Sequence, residues 1–311
     1  MADERAFTKG LGRFFGSARG VRIGIGDDAA VVRNPARDSV LCCDPVVEGV
    51  HFTRSTPLRQ VGKKVVNRNL ADLAAMGAMP DWLLVSMVLP PWCAHAERRE
   101  LLHGIRSAAR AAKATVVGGD VASTRGPLVV TVTAIGHPVG RVLVRDAARV
   151  GDTLHVSGPL GGSSLGHHLS FRPPLTIGRW LAAQPTVHAA MDVSDGFLLD
   201  LATMLDASGG LGAEIDATAV PVSTAARKLA RGDRRQALRH ALGDGEDHVL
   251  LWTQQAGRAL AAGGPLSSRA RAPVGRVVAT PGLWLVHDGR RERVPALGYR
   301  HELADRRRPA R

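Results

Sequence analysis

Hydrophobic positions follow two alternating rhythms along the first half of the chain. VRIGIG, SVLCCD and WLLVSMVLP are apolar runs of strand length; the last stops at Pro90 and Pro91. Between them Val61, Val65, Leu70, Leu73 and Met76 fall at helical spacing, which predicts an amphipathic helix over 61–77. A second helix, rich in arginine and alanine, is predicted over 97–113. ATVVGGD reads as a strand running into a glycine turn, and PLVVTVTAIG as another strand, after which Gly136 to Gly140 break the pattern. A new unit begins near residue 141. VGDTLHVSG is strand-like and leads to the turn GPLGGSSLG. AAMDVSDG is a strand entering the helix FLLDLATMLDAS, with Ser194 or Asp195 expected as N-cap and Gly209 and Gly210 as the stop. AEIDA, HVLLWT, APVGRVV and LWLVHDG read as strands, with an arginine-rich helix near 224–241 and a frayed tail, RRRPAR. The pattern is that of an α/β protein of two units, 1–140 and 141–311, and 311 residues suit two domains of ordinary size.

Composition narrows the picture. Aromatics make up only 4%, so the core must be aliphatic. The formal net charge of +13 comes mostly from scattered arginines, since Lys9, Lys63, Lys64, Lys113 and Lys228 are the only lysines. No aromatic motif of RNA readers accompanies that charge, so a nucleotide or phosphorylated substrate suits it better than nucleic acid does. Cys42, Cys43 and Cys93 form no CxxC pair, which suits a reduced, cytoplasmic setting. The longest apolar stretch, WLLVSMVLPPW, is too short to cross a bilayer, and no membrane is expected as a partner.

The aspartates carry most of the chemical information. Asp28 follows an apolar run and a glycine, Asp44 ends a strand, Asp120 follows Gly118 and Gly119, and Asp192 and Asp195 flank the end of another strand. Asp72 lies between Leu70 and Leu73 on the predicted helix, at or near its buried face. Each one alone reads as a turn former or cap. Six such positions in one basic chain point instead to ligands on a rigid scaffold, whose mutual repulsion calls for divalent cations such as Mg²⁺. The glycine turns are neither P-loop nor dinucleotide fingerprint, and protein-kinase signatures are absent. His51, between Val50 and Phe52, reads as a packed strand histidine, and Glu246–Asp247 as an acidic pair at a helix N-terminus.

Taken together, GIGDDAAVV (24–32), DPVVEGVHF (44–52), NLADLAAMGAMPDW (69–82), GGDVASTRGPL (118–128), AMDVSDG (190–196) and GEDHVLL (245–251) resemble the thiamine-monophosphate kinase family of the aminoimidazole ribonucleotide synthetase-like superfamily. The resemblance implies an N-terminal mixed sheet with helices that dimerises and a C-terminal α/β domain. It implies an enzyme that uses ATP and several Mg²⁺ ions to phosphorylate thiamine monophosphate. Carried over by motif, it assigns Asp28, Cys43, Asp44, Asp72, Asp120, Asp192 and Asp195 to metals, and Gly119, Asp120, Arg145 and Ser194 to ATP. His51, Glu246 and Tyr299 are assigned to the thiamine phosphate. No general base is expected, because a phosphate oxygen is already ionised. The chain departs from the family's pattern at Cys42, Cys43, Leu102 and His248. Another phosphotransferase or synthetase of the superfamily, or a nucleotide-binding dimer without turnover, is therefore the alternative expectation.

Overall fold

The computed structural model describes residues 21–23, 27–33 and 38–301. The first sheet runs β1 (Val21–Ile23), β2 (Ala30–Arg33), β3 (Asp38–Val47), β6 (Val129–Pro138), β4 (Ala78–Leu89) and β5 (Thr115–Ser123) across its width. Only the β4–β5 pairing is parallel. Val40, Cys42 and Val46 of β3, Leu83, Val85 and Leu89 of β4, and Val130, Val132 and Ala134 of β6 are buried. They alternate with outward residues, as a sheet with one covered face requires. The cover is two helices, α1 (Leu58–Ala75) and α2 (His95–Ala111), which also pack on each other. They touch through glycine: a Cβ on Gly104 would lie 2.1 Å from the Arg59 carbonyl oxygen, and one on Gly62 2.2 Å from that of Leu101.

The sequence predicts a turn at Gly118–Gly119, but β5 continues through it to Ser123. Gly119 adopts φ +153° and passes so close to β4 that a Cβ would sit 1.8 Å from the Val85 carbonyl oxygen. Glycine is needed there for a close approach between strands, not for a reversal of the chain.

The second sheet runs β13 (Arg290–Val294), β12 (Gly282–His287), β9 (Gly212–Asp216), β11 (Gly275–Val278), β7 (Thr153–Val156), β10 (Leu250–Gln254) and β8 (Val187–Asp192). Phe197, Leu198, Leu201, Met204 and Leu205 of a helix over Phe197–Ala207 pack into its core. Neither Ser194 nor Asp195 caps that helix. Its N-cap is Gly196, and Asp200 folds back from the first turn to accept the Asp195 and Gly196 N–H groups, each at 3.0 Å. The single arginine-rich helix expected near 224–241 is two, Thr224–Leu229 and Arg234–Gly243. They are broken where Arg231 and Gly232 take positive φ and Asp233 caps the second. Strand β13 is almost entirely charged and exposed, so hydrophobic patterning gave no sign of it.

The sheets divide between Pro138 and Thr153, but the cores do not. Leu143, Leu175, Leu181, Ala182, Val187, Ala190, Leu250 and Trp252 all join the hydrophobic cluster beneath the first sheet. A helix over Leu175–Ala182 lies on α1, and a Cβ on its Gly178 would meet the Ala74 carbonyl oxygen at 1.9 Å. No helix among the described residues is long and apolar enough to cross a membrane.

Candidate active site

Three of the six aspartates converge. Asp28, Asp72 and Asp192 each offer a carboxylate oxygen within 4.8 Å of the others. They come from three separate elements: the segment before β2, the buried side of α1 and the end of β8. Burial pushes Asp28 up to about 8, with Asp192 and Asp27 adding repulsion against the pull of Arg145. Burial and Asp44 raise Asp192 to about 6, and burial with Asp44, Asp192 and Asp28 raises Asp72 well above the usual carboxylate range. One Asp28 oxygen is buried with no hydrogen-bond partner. An all-oxygen set that would otherwise retain protons, with one buried oxygen left unpartnered, fits a hard divalent cation.

This arrangement sets the pH dependence of the metal-free protein. Asp28 and Asp247, both near 8, hold their protons more tightly folded than unfolded. Their contribution to stability is therefore lost as pH rises. Buried His51, His155 and His248, lowered to about 4, 4 and 3 mainly by burial, act in the opposite sense only below about 6.5. Between pH 6.5 and 8 the metal-free stability should fall, by at most about 1.4 kcal/mol per pH unit per group, and the melting temperature with it. Added Mg²⁺ should remove the share due to Asp28. Scanning fluorimetry in chelator and in Mg²⁺ checks this, and a metal-free melting temperature that climbs across the window contradicts it.

Asp44 lies beside the trio, on the helix-facing side of β3. Its carboxylate accepts from Arg68 Nε at 3.3 Å, and its backbone is locked by Asn69. The Asn69 side chain accepts the Asp44 N–H at 2.9 Å and donates to the Asp44 carbonyl at 3.2 Å. Neighbouring Cys43 is exposed, and its sulfur accepts from Thr133 Oγ1 on the opposite face of the sheet. The Cys43 thiol is thus not among the carboxylates, because successive strand residues point to opposite sides.

Asp120 is not brought to the trio within one chain either. It pairs with Ser86, a row beyond Gly119–Val85, at the β5 edge three strands away from β3. Gly119 and Asp120 instead line a cleft of about 760 Å³ with Val85, Met87, Leu102 and Ile105. Arg145 reaches the trio directly: Nη2 contacts Asp28 at 2.6 Å and Nε contacts Asp27 at 3.4 Å. The Ser194 carbonyl accepts the Glu246 N–H at 2.6 Å, and the Asp195 carbonyl accepts the Tyr299 N–H at 2.8 Å. The Asp195 carboxylate is not part of the 4.8 Å group.

His51, Glu246 and Tyr299 do gather, through partners the sequence reading passed over. Lys64 is fully buried; it donates to the His51 carbonyl at 2.6 Å and to Glu246 at 2.8 Å. His168 also contacts Glu246, at 3.2 Å. Burial would raise Glu246, but the His168 and Lys64 contacts overcome it and hold the carboxyl down at about 2. Glu246 and His248 occupy positive φ in an irregular segment, so the expected helix start at 246–247 is not formed. His51 Nδ1 accepts the Val47 N–H at 3.1 Å, which leaves the proton on Nε2 of a neutral ring. Tyr299, half-exposed, meets His301 edge-on at 4.9 Å, and His301 lies 6.0 Å from His51. Lys64, Arg68 and Asp72 share one side of α1 at i, i+4, i+8, a spacing legible in the sequence.

The model of the AIR synthase related protein N-terminal domain matches residues 26–137. Thiamine-monophosphate kinase of Rhodopirellula baltica is 38% identical over 92% of this chain and 93% of its own length; that of Salmonella typhimurium is 34% identical over 78% and 81%. Among solved structures, AaThiL complexed with AMPPCP and TMP superposes with a TM-score of 0.84 at 26% identity, covering 96% of this chain and 97% of that one. Identity at this level along nearly the full length of a relative, on the same two-sheet fold, makes this chain a member of the thiamine-monophosphate kinase family.

Proposed function

We propose that the chain transfers the γ-phosphoryl group of ATP to the phosphate of thiamine monophosphate, giving thiamine diphosphate. The observation that carries this reading is the Asp28–Asp72–Asp192 group, set one helical turn from Arg68 and two from the Lys64–Glu246 pair. Phosphate-binding and acceptor-binding chemistry thus share one side of α1. Asp28, Asp72 and Asp192, with Asp44 beside them, would hold Mg²⁺, which neutralises phosphate charge when bound. The cleft beside Gly119 and Leu102 is large enough for the nucleoside of ATP. Arg145, now paired with Asp27 and Asp28, is placed to turn toward phosphate.

The acceptor side works without a general base. A phosphate oxygen of the substrate is ionised at neutral pH, so catalysis reduces to alignment and charge compensation. His51 contributes an Nε2–H donor rather than a positive charge. Glu246 stays ionised and suits the cationic thiazolium ring of thiamine, with Tyr299 offering a π face.

The first sheet supplies the surface for a homodimer. Trp82 and Leu84 of β4 are exposed on the face turned away from the helices, beside the edge strand β5, an apolar surface of the kind a second copy covers. Asp120 lies on that same edge strand.

A coupled assay with ATP, Mg²⁺ and thiamine monophosphate should yield thiamine diphosphate, and folded protein giving none would overturn the assignment. In the same assay Tyr299→Ala should raise KM for thiamine monophosphate about 3- to 30-fold, the worth of a cation–π contact, and leave KM for ATP unchanged. Equal shifts in both constants would make Tyr299 structural.

A further inference from the structure

We infer that Arg68 is a catalytic residue whose guanidinium bridges the donor and acceptor phosphates during transfer. The inference rests on the kinase reading above and adds a group that the carboxylate motifs do not contain.

Arg68 sits between two clusters of opposite purpose. Its Nε donates to Asp44 at 3.3 Å, beside the carboxylate trio, and its Nη1 lies 4.0 Å from Glu246 Oε1 on the acceptor side. Its charge acts on Asp44, Glu246, Asp72 and Asp192, and also on His51 and His248. No other cation of the site faces both clusters at once. Lys64 is fully buried behind Glu246, and Arg145 is committed to Asp27 and Asp28.

The guanidinium is also underused. Of its five donors, only Nε makes a hydrogen bond among the described residues. Glu246 draws its charge compensation from Lys64 at 2.6 Å and His168 at 3.2 Å, and its Oε1, which makes no hydrogen bond, stands 4.0 Å from Nη1, beyond hydrogen-bond reach. The two Nη groups thus form an open fork in the gap between clusters. A planar fork matches the oxygens of a phosphate bidentately.

The chemistry at that gap is a displacement. A lone pair on a terminal oxygen of the acceptor phosphate forms the new P–O bond. The bond from the γ-phosphorus to the β,γ-bridging oxygen breaks, and its electron pair leaves on the β-phosphate of ADP. Nothing is oxidised and no proton has to move. Two anions must approach each other, and Arg68 compensates that charge where they meet.

The test uses full-length Arg68→Met and Arg68→Lys. Arg68→Met should lower kcat about 100-fold or more, with ATP binding by calorimetry unchanged. Arg68→Lys, which keeps the charge and loses the fork, should lower it about 10-fold or more. A second readout is independent of the acceptor. Mg·ADP with aluminium fluoride, a mimic of the migrating phosphoryl, should raise the melting temperature of the parent protein beyond Mg·ADP alone. Arg68→Met should lose that extra rise and keep the Mg·ADP part. A cation serving only to neutralise Asp44 in the metal-free protein would leave kcat and the fluoroaluminate rise intact, and either result in a folded variant overturns the inference. If the parent protein makes no thiamine diphosphate yet Arg68→Met still loses the fluoroaluminate rise, the acceptor assignment fails and the role of Arg68 stands.

Discussion

An Asp72→Asn variant should fold normally and lose at least about 100-fold in phosphoryl transfer, more than the loss of a hydrogen bond to a metal ligand brings. The side chain keeps its shape, so packing of α1 is undisturbed. What changes is charge. Asp72 is buried with Asp28, Asp44 and Asp192 acting on it, and each of those repulsions disfavours the ionised form. Asparagine removes them, so the metal-free variant should melt higher than the parent at pH 8. The same change takes away an anionic oxygen, so the rise in melting temperature on adding Mg²⁺ should shrink and half-saturation by Mg²⁺ should move to higher concentration. Opposite movements of metal-free stability and Mg²⁺ response separate a metal ligand from a structural carboxylate. Unchanged kcat at saturating Mg²⁺ would remove Asp72 from the site.

The largest loss of stability is expected from Gly104→Val. A Cβ there would sit 2.1 Å from the Arg59 carbonyl oxygen and 2.9 Å from its carbonyl carbon, both backbone atoms of α1. A side-chain neighbour could change rotamer; a helix backbone cannot. The two helices must separate, which opens the core around Leu70, Leu101 and Ile105. Overpacking without an escape route costs roughly 3 kcal/mol or more, equivalent to a drop of about 5 °C or more for a chain of this size. Because α1 also carries Lys64, Arg68 and Asp72, activity should fall before the protein unfolds. Gly140→Ala is the control: its nearest neighbour would be 3.7 Å away, and its melting temperature should barely move. Equal shifts in the two variants would refute the close-approach argument.

The carboxylates were legible because chemistry and pattern coincide in them. Strand-end aspartates and one aspartate amid leucines are anomalies against an apolar background, and Asp28, Asp72 and Asp192 do meet. The spacing of Lys64 and Arg68 from Asp72 was legible, but their burial and pairing were not, for a physical reason. Hydrophobic periodicity sorts residues into buried apolar and exposed polar, and it places a lysine or arginine of a basic chain on the surface. Lys64 is instead fully buried, a state possible only because Glu246, nearly two hundred residues away in sequence, arrives with a compensating charge. Pairings of that range leave no local trace. The positions of Cys43 and Asp120 depend on strand register, which the motifs alone do not fix.

The hydrophobic cluster that runs beneath the first sheet and takes in Leu175, Leu181, Leu250 and Trp252 bears on how such a chain can be cut or recombined. A gene fragment ending at residue 140 would leave the outer side of α1 bare where Gly178 now rests on Ala74. The complementary fragment would carry Trp252, now fully buried, without its cover. Each piece should be insoluble alone and recoverable only by co-expression. The two sheets are thus not interchangeable modules, and a chimera exchanging one of them between relatives must carry the Leu175–Ala182 helix along with α1.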